Sequence, residues 1–288
     1  MGLLRTSSGL LLRDNFSTDT EANYTESGSH SDLWAVSGGV FAYSGTGYTT
    51  RSYERRADIT TAKCVTTRMK TDSSGEDYSC VGVGGSGVCN YGASYPQFPN
   101  GYSIEWWGTD TTAVLYKTVL NTEIAELDTA VFSQSADTYY VQRVYIASGH
   151  VYAKNGLTAL ADYMDAVDST YTQGHVFIGG VMNLHTFDWL EARTSHEIKC
   201  YGLPTGWKFQ VTDGTTNATA TESSGVATVD AGLVLFPCTE VRVLNGSDVE
   251  QTHTLSATIA DIGGGDEFFY APNQTATLAS SDILVEWS

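Results

Sequence analysis

The stretch Gly101–Lys117, GYSIEWWGTDTTAVLYK, decides the fold, because it contains two apolar runs separated by a polar turn. Runs rich in β-branched and aromatic residues around turn residues predict the two strands of a hairpin. Side chains alternate along a strand, so Ile104 and Trp106 point to one face. Glu105 and Trp107 point to the other. Both faces therefore carry a large aromatic residue, which predicts that one face lies in a core and the other is covered or binds something.

The rest of the chain repeats this pattern of short apolar runs separated by turns. Glycine (29 residues) and tyrosine (17 residues) are abundant, and charged residues make up only 17% of the chain. Short strands at roughly ten-residue spacing with glycine turns are typical of β-sandwiches. Residues 157–168 alone look helical, because Asp162, Asp165 and Asp168 could form a polar face, and a long loop is the alternative. The composition predicts an all-β chain.

Several short motifs, taken in order, carry a resemblance to a known family. They are Asp14-Asn15-Phe16, Trp34 with Ser37–Phe41, Tyr78–Gly85, Gly101-Tyr102, Gly179-Gly180 and Phe187–Arg193. Over roughly residues 10–200 this order resembles the concanavalin A-like, laminin-G-like jelly rolls of lectins and glucanases. The resemblance implies two large antiparallel sheets packed face to face, with the concave outer face as the usual place for sugar.

The sequence pattern changes after Tyr201. Gly202–Gly206, GLPTG, predicts a linker, and behind it strands of about five residues alternate with tight turns. This second region is similar to the Ig-like modules appended to cell-surface proteins and phage fibres. We therefore expect an all-β chain with a large antiparallel jelly-roll sandwich over residues 1–201, of which 1–13 form an N-terminal arm. A small Ig-like β-sandwich is expected over residues 202–288.

The charge and hydropathy of the chain exclude some partners. A net charge of −18 and a pI near 4.5 argue against binding to nucleic-acid backbones, which require clustered Lys and Arg. No run approaches the ~18 apolar residues of a membrane-spanning helix, so we expect no membrane insertion. The N-terminus lacks the pattern of a secretory signal. A surface protein would then lose its leader before this numbering starts, or leave the cell in a particle as virion proteins do.

Five cysteines, an odd number, leave at least one outside any intramolecular disulfide. Cys80 and Cys89 flank a glycine-rich segment and could meet across a hairpin. Buried free thiols are the alternative. The cysteines therefore do not indicate whether the protein occupies an oxidising or a reducing compartment.

The chemistry of the chain predicts no enzyme. Catalytic members of the resembled family carry Glu-x-Asp-x-x-Glu on one strand, and retaining hydrolysis requires two carboxylates about 5 Å apart. This sequence has no such motif, and Glu105 stands alone because the neighbours on its predicted face are Ser103 and Trp107. The patterns of serine hydrolases, zinc proteases and P-loop enzymes are also absent. A glycoside hydrolase with an atypical site is left as a minor alternative.

Calcium is the cofactor that the resemblance implies. In that family an aspartate opening the last strand provides a carboxylate to a structural Ca²⁺, and backbone carbonyls near the first strand and a glycine turn complete the site. Asp188 matches that aspartate, and the carbonyls would come from around Asp14 and Gly39. Oxygen ligands around a hard cation suit an acidic protein. The alternative is that Asp188 caps a turn or pairs with Arg193.

A glycan site requires an exposed aromatic platform edged by hydrogen-bonding groups. The segment Cys89–Tyr102, CNYGASYPQFPNGY, is too aromatic for an ordinary solvated connection. The predicted ligand-binding residues come from this segment and from the strand that follows it: Tyr91, Tyr95, Phe98, Asn100, Tyr102, Glu105 and Trp107. The alternative is that these aromatics plug the edge of the sandwich or meet another subunit.

These observations favour a non-catalytic virion surface protein, such as a tail-fibre, spike or capsid-decorating component. Its lectin-like domain is expected to bind a glycan or host-surface receptor, or a neighbouring virion protein, and a homo-oligomer is expected. The protein would lie at the virion surface or outside a cell. A secreted carbohydrate-binding or adhesion protein is the alternative from a different class.

Overall fold

Extended backbone dominates the computed structural model of the chain, as its content of β-branched and aromatic residues predicts. The structure describes residues 2–18, 20–28, 34–44, 51–71, 78–86, 99–107, 112–119, 123–132, 135–156, 161–181, 185–212, 214–230, 240–251, 254–255 and 262–271. The strands up to Arg193 are β1 (Gly2–Ser7), β2 (Leu10–Asp14), β3 (Thr25–Gly28), β4 (Trp34–Ser37), β5 (Val40–Tyr43), β6 (Arg51–Arg56), β7 (Cys64–Thr71), β8 (Tyr78–Val83), β9 (Gly101–Trp107), β10 (Thr112–Val119), β11 (Glu123–Val131), β12 (Tyr140–Ala147), β13 (His150–Gly156), β14 (Ala161–Val167), β15 (Val176–Val181) and β16 (His185–Arg193). The later strands are β17 (Glu197–Tyr201), β18 (Lys208–Thr212), β19 (Asn217–Thr221), β20 (Val226–Asp230), β21 (Glu240–Leu244), β22 (Thr254–Leu255) and β23 (Glu267–Ala271).

The larger of two units spans Leu11–Ser195 and consists of two antiparallel sheets. The seven-stranded sheet has the order β11-β10-β9-β8-β15-β6-β3. The second large sheet has the order β14-β13-β12-β7-β16-β5-β4, and β2 also pairs with β16. The predicted hairpin is present, because β9 pairs antiparallel with β10. The prediction of an all-β jelly-roll sandwich is confirmed.

The core of this unit lies between the inner faces of the two sheets. Alternation along β9 turns Tyr102 and Ile104 inward, and both are fully buried. From the other sheet, β12 contributes Val144 and Ile146 to the same core. Burial of one aliphatic side chain of this size stabilises a fold by about 1.5–3 kcal/mol. The inner face therefore holds the central hairpin in place.

Residues from the motifs that carry the resemblance pack together in this core. The ring centroids of Trp34 and Phe41 are 4.9 Å apart, and those of Trp34 and Phe187 are 5.9 Å apart. Phe16 lies 5.4 Å from Phe41. All four side chains are buried, and their tilted rings have the spacing that aromatic pairs prefer. These motif residues are packing residues of the sandwich.

The smaller unit combines Met1–Leu10 with His196–Ser288. A five-stranded sheet has the order β20-β17-β23-β1-β22, and a three-stranded sheet has the order β19-β18-β21. Both sheets contribute to one core, in which the rings of Phe209 and Phe268 lie 5.4 Å apart. The described part of this unit is thus a small two-sheet sandwich. Its Ig-like character stays a prediction.

The N-terminal strand is part of the smaller unit, which differs from the expected arm. β1 pairs antiparallel with β23, and Leu3 is fully buried in the small core. Arg5 Nη2 lies 2.7 Å from Asp266 Oδ2, and the amide of Gly9 donates to Asp266 Oδ1 at 3.0 Å. Position 9 requires glycine, because a Cβ there would overlap the backbone of Gly264 and its neighbour. These contacts fix the N-terminus as a strand.

The division between the units falls between Ser195 and His196, before the expected boundary at Tyr201. The reason is that β17 pairs with β20 and with β23 of the smaller unit. The expected linker Gly202–Gly206 consequently lies inside this unit. Leu203 within it is only 6% exposed and belongs to the small core.

The stretch expected to be a helix or a long loop contains an edge strand instead. β14 pairs antiparallel with β13, and Asp165 Oδ1 lies 2.7 Å from Nδ1 of His150. The helix that the structure describes is a three-residue 3-10 turn, Glu21–Asn23. Within the described ranges, no helix has the length and apolar character needed to cross a bilayer.

Candidate functional site

β9 places Glu105 on the outer face of the seven-stranded sheet, the face turned away from the core. Its cross-strand partners are Cys80 on β8 and Val114 on β10. Ile104 occupies the inner face, as the alternation predicts. Glu105 is only 2% exposed and Ser103 only 3% exposed, so the outer face is covered at these two positions.

Two aromatic rings lie across glycines on this outer face. The ring of Tyr53 occupies the space where a Cβ of Gly179 would stand, and the ring of Phe177 occupies that of Gly82. Both pairs are cross-strand partners, and Gly179 is also the partner of Cys80. Tyr53, Phe177 and Cys80 form one buried cluster. The missing glycine side chains let the rings approach the backbone, which a sequence pattern for strands does not reveal.

The described surroundings of Glu105 do not provide a second carboxylate. Neither of its cross-strand partners is acidic, and the diagonal neighbours on β8 and β10 are Tyr78, Gly82, Thr112 and Tyr116. Hydrolysis of a glycosidic bond with retention requires a carboxylate pair about 5 Å apart. Within the described part of this face, Glu105 has no such partner among its neighbours on β8 and β10.

Tyr102, predicted to bind a ligand, lies on the inner face and stabilises the fold. Its hydroxyl donates to Asp168 Oδ1 at 2.5 Å, and Lys117 Nζ lies 2.5 Å from Asp168 Oδ2. The amide of Thr170 donates to Asp168 at 2.8 Å. The ring of Tyr102 packs edge-on against Tyr171, with centroids 5.4 Å apart. Tyr102 is fully buried, so it cannot offer a stacking surface to a sugar in this structure.

The ionisation of this cluster follows from its contacts. Burial raises the pKa of Tyr102, and its hydrogen bond to Asp168 raises it further. Burial also works to raise the pKa of Asp168, but hydrogen bonds from Lys117, Tyr102 and Thr170 outweigh it and leave that pKa well below its usual range. Asp168 is therefore ionised at neutral pH, and its carboxylate links β9, β10 and the segment after β14.

The other predicted ligand residues are placed differently from one another. Asn100 Nδ2 donates to Ser86 Oγ at 3.2 Å, which ties the two ends of the aromatic connection together. The backbone of Trp107 is in β9, directly opposite Tyr78. The remaining three predicted residues lie outside the described residues: Tyr91, Tyr95 and Phe98.

The three residues expected around calcium serve other partners. Asp188 Oδ2 lies 2.6 Å from Arg68 Nη1, so its carboxylate has a cationic partner. Asp14 accepts hydrogen bonds from the amide of Phe16 at 2.9 Å and from the hydroxyl of Tyr24 at 3.1 Å. Gly39 forms the turn between β4 and β5, where its φ of +81° favours glycine.

These side chains do not fit a calcium ion as they are arranged. A Ca²⁺ would have to displace the Arg68 guanidinium from Asp188 and take six or more oxygen ligands. Among the described residues, no group of three His, Cys, Asp or Glu side chains is placed to hold a metal. Asp188 pairs with Arg68 and not with Arg193, which is bound to Glu191.

A buried charge cluster that was not predicted from the sequence lies on the outer face of the second large sheet. Arg143, Glu191 and Arg193 are at most 1% exposed. Arg193 Nε and Arg13 Nη2 each lie 2.5 Å from an oxygen of Glu191. Arg143 donates to Thr66 Oγ1 at 2.9 Å. The sequence contains one signal for this cluster. Glu191 and Arg193 are two residues apart on one strand, so they share a face.

The cysteines of the described ranges are buried thiols. Cys64, Cys80 and Cys200 are each at most 3% exposed, and no disulfide joins them. Burial raises the pKa of Cys200 to about 12 and also raises that of Cys64. Cys89, the proposed partner of Cys80, lies outside the described residues. Cys64 and Cys200 are thus held in the neutral, unreactive form.

Comparison with known proteins gives similarity in structure alone. No protein-family model matches the chain, and no curated protein matches it. Carbohydrate-binding module CBM66 from Bacillus subtilis has 11% identity and a TM-score of 0.44, over 57% of this chain and 91% of that one. The exoplasmic/lumenal domain of VIP36, in a Ca²⁺/Man3GlcNAc-bound form, has 8% identity and a TM-score of 0.49, over 60% and 84%.

A protein of unknown function with a galectin-like fold from Bacillus subtilis has 11% identity and a TM-score of 0.49, over 66% of this chain and 98% of that one. These are likenesses of backbone shape. At such identities no function carries over from one chain to another.

Proposed function

We propose that this chain is a non-catalytic, lectin-like protein that binds glycans. The observation that carries the proposal is the outer face of the seven-stranded sheet, where the carboxylate of Glu105 and the hydroxyl of Ser103 lie on the same face as the rings of Tyr53 and Phe177. These two rings are buried, so they support the site and the stacking surface is expected from other aromatic residues. Sugars bind to proteins by stacking on aromatic rings and by hydrogen bonds to carboxylates and hydroxyls. The lack of a second carboxylate around Glu105 in the described residues supports binding without hydrolysis.

We infer a supporting position for Glu105 in the proposed site, because its side chain is covered. Residues 87–98 connect β8 to β9, and they include Tyr91, Tyr95 and Phe98. We propose that these three aromatics contact the sugar. Glu105 and the rings on the sheet would then form the base, where a carboxylate in a covered site makes stronger hydrogen bonds than one in water.

A glycan array with the intact chain tests this proposal. Wild type is expected to bind at least one glycan, and Glu105→Gln is expected to bind it about ten- to a hundredfold more weakly, because a hydrogen bond to a charged group is worth about 1.5–3 kcal/mol. Trp107→Ala, on the same predicted face, is expected to abolish binding. The matched control is Glu54→Gln, which replaces a buried glutamate on the inner face of the same sheet and is expected to bind as wild type does.

Three outcomes would contradict the proposal. Absence of binding to every glycan on the array would remove the function. Unchanged binding by a folded Glu105→Gln would move the glycan to another surface. Release of reducing sugar from the bound glycan by wild type, lost in Glu105→Gln, would favour the atypical hydrolase.

The proposed setting is the surface of a virus particle, where the chain would assemble with other virion proteins and with copies of itself. Support comes from the sequence, whose smaller unit is similar to modules appended to phage fibres. A secreted adhesion protein is the alternative. Mass spectrometry of purified particles distinguishes them, because a virion component is present at fixed stoichiometry. Light scattering of the isolated chain measures the homo-oligomer.

A further inference from the structure

Among the residues that the structure describes, three polar side chains on the inner face of the larger sandwich have no hydrogen-bond partner. Gln142 and Ser79 are 0% exposed and Asn155 is 1% exposed. The nitrogen and oxygen of both amides and the hydroxyl of Ser79 all lack a partner. One unsatisfied buried group costs about 1–3 kcal/mol. So many such atoms in one core require a specific explanation.

The two amides are neighbours. Gln142 on β12 and Asn155 on β13 are direct cross-strand partners. Both point inward, because Val144 and Ala153, two residues away on the same strands, belong to the hydrophobic core. The pairing of β13 with β14 shifts register between Ala153 and Asn155, and such irregularities open the ladder locally.

Ser79 faces the amides from the opposite sheet. It shares the inner face of β8 with Val81, a core residue. At the far end of the same strands, Ile146 Cδ1 lies 3.5 Å from the position of a Cβ on Gly84. β12 is antiparallel to β7, whose end at Thr71 leads into the start of β8, so β8 and β12 run in the same direction. Ser79 and Gln142 consequently lie at the same end of the core.

The neighbouring protein groups do not complete these hydrogen bonds. Thr67, the partner of Gln142 on β7, already donates its hydroxyl to the carbonyl of Trp189 at 2.6 Å. Val144 and Ala153 on these strands are apolar, and the hydroxyl of Tyr140 already accepts a hydrogen bond from the amide of Ser135 at 2.9 Å. The three side chains are uncharged, and together they offer both donors and acceptors. They therefore match a small neutral molecule that donates and accepts, and they do not match an ion.

We propose that Gln142, Asn155 and Ser79 form an internal binding site for ordered water between the two sheets. A buried water makes about three hydrogen bonds to groups that would otherwise be unsatisfied. Water held here joins a strand of each sheet. The site lies on the strand next to the central hairpin, since Ser79 pairs with Trp106 of β9. This inference does not depend on glycan binding at the outer face.

Oxygen-17 magnetic relaxation dispersion of the intact chain tests this site, because it counts internal waters that exchange slowly. The double variant Gln142→Leu with Asn155→Leu is expected to lose at least one long-lived water. Its melting temperature is expected to stay the same or rise, since the variant replaces both amides by apolar groups and leaves only the hydroxyl of Ser79 unsatisfied. The matched control is Gln210→Leu, an exposed amide bonded to Thr219, which is expected to change no water count.

A crystal structure of wild type provides the second measurement, which does not require the variant to fold. Water oxygens are expected within about 2.7–3.2 Å of at least two of the three side chains. Amides bonded directly to each other with no water between them would overturn the proposal. An equal count of long-lived waters in a folded double variant would do so as well, as would electron density for an organic molecule at this place.

Discussion

The two units of this chain differ in how their strands are connected. The larger unit is built from one continuous stretch, Leu11–Ser195, and its β8, β9 and β10 are neighbours both in sequence and in the sheet. The smaller unit places β1 between β23 and β22. Its ion pair joins Arg5 to Asp266 across 261 residues of sequence. The local sequence pattern therefore identifies the strands, whereas contacts between residues far apart in sequence determine the unit to which a strand belongs.

The largest loss of stability is expected when the contact between Arg5 and Asp266 is removed. Asp266→Ala removes the acceptor for Arg5 and for the amides of Gly9 and Gly263. Removing one partner of a buried ion pair costs about 3–5 kcal/mol. We expect hydrogen exchange, followed by mass spectrometry, to show lost protection in β1 and β23. Protection in β9 and β15 of the larger unit is expected to persist.

The control for this variant is Glu240→Ala, which removes an exposed partner of Arg242 in the same unit and is expected to leave exchange unchanged. Retained protection of β1 in Asp266→Ala would mean that the strand pairing alone holds the N-terminus. Equal loss of protection in both units would show that the chain unfolds as one body.

The second-largest effect is expected in the larger unit, where Asp168 contacts Lys117 and Tyr102 at an intermediate distance in sequence. Asp168→Asn weakens the hydrogen bonds from Lys117 and Tyr102, and we expect a loss of about 1.5–3 kcal/mol at neutral pH. The folded-state pKa of Asp168 is lowered, so its contribution is full above the unfolded pKa of about 3.9 and is lost as the pH falls below it. Denaturant unfolding between pH 7 and pH 3 measures the difference between wild type and variant.

That difference is expected to shrink as the pH falls from about 5 to 3, because Asp168 takes up a proton in the unfolded wild type and not in the folded one, which favours unfolding. A difference that stays constant over this range would mean that the carboxylate charge is not what stabilises the cluster.

Tyr102→Phe is expected to have a smaller effect, about 1 kcal/mol, because it removes one hydrogen bond while Asp168 keeps Lys117 and Thr170. The folded-state pKa of Tyr102 is raised, so its contribution is present below the unfolded pKa of about 10 and is lost as the pH rises above it. Melting at pH 8 and pH 10.5 is expected to show the variant closer to wild type at the higher pH. Lost glycan binding in a stable Tyr102→Phe would return this residue to the site.

The fold of the larger unit was predictable because its strands have alternating side chains and tight turns. Ile104 and Glu105 fall on the predicted faces. The prediction for residues 157–168 was wrong because a spacing of three between aspartates suits a helix face equally well. In the structure Asp165 is in an edge strand next to His150, and Asp168 lies beyond the strand. An exposed edge accepts polar residues with no fixed period.

The candidate site was less predictable than the fold, because its residues depend on burial that alternation does not encode. Tyr102 was expected in a ligand site, yet it is fully buried against Asp168. Tyr53 and Phe177 were not predicted, because their place depends on two glycines of neighbouring strands. Sheet register is fixed by tertiary pairing, which no single strand specifies.

The smallest expected effect is that of replacing Asp188. It tests whether this residue binds calcium, as the resemblance implies, or pairs with Arg68. The resemblance implies that Asp188 binds calcium, whereas the structure pairs it with Arg68, whose side chain is 43% exposed. Exposed ion pairs are worth about 0–1 kcal/mol, so Asp188→Asn is expected to change the stability by less than about 1 kcal/mol in calcium or in EDTA. Wild type is likewise expected to melt at the same temperature in both buffers. A bound ion stabilises only the folded state by mass action. A fall in the wild-type melting temperature on adding EDTA, absent in Asp188→Asn, would therefore restore the calcium site and require Arg68 to move away from the carboxylate.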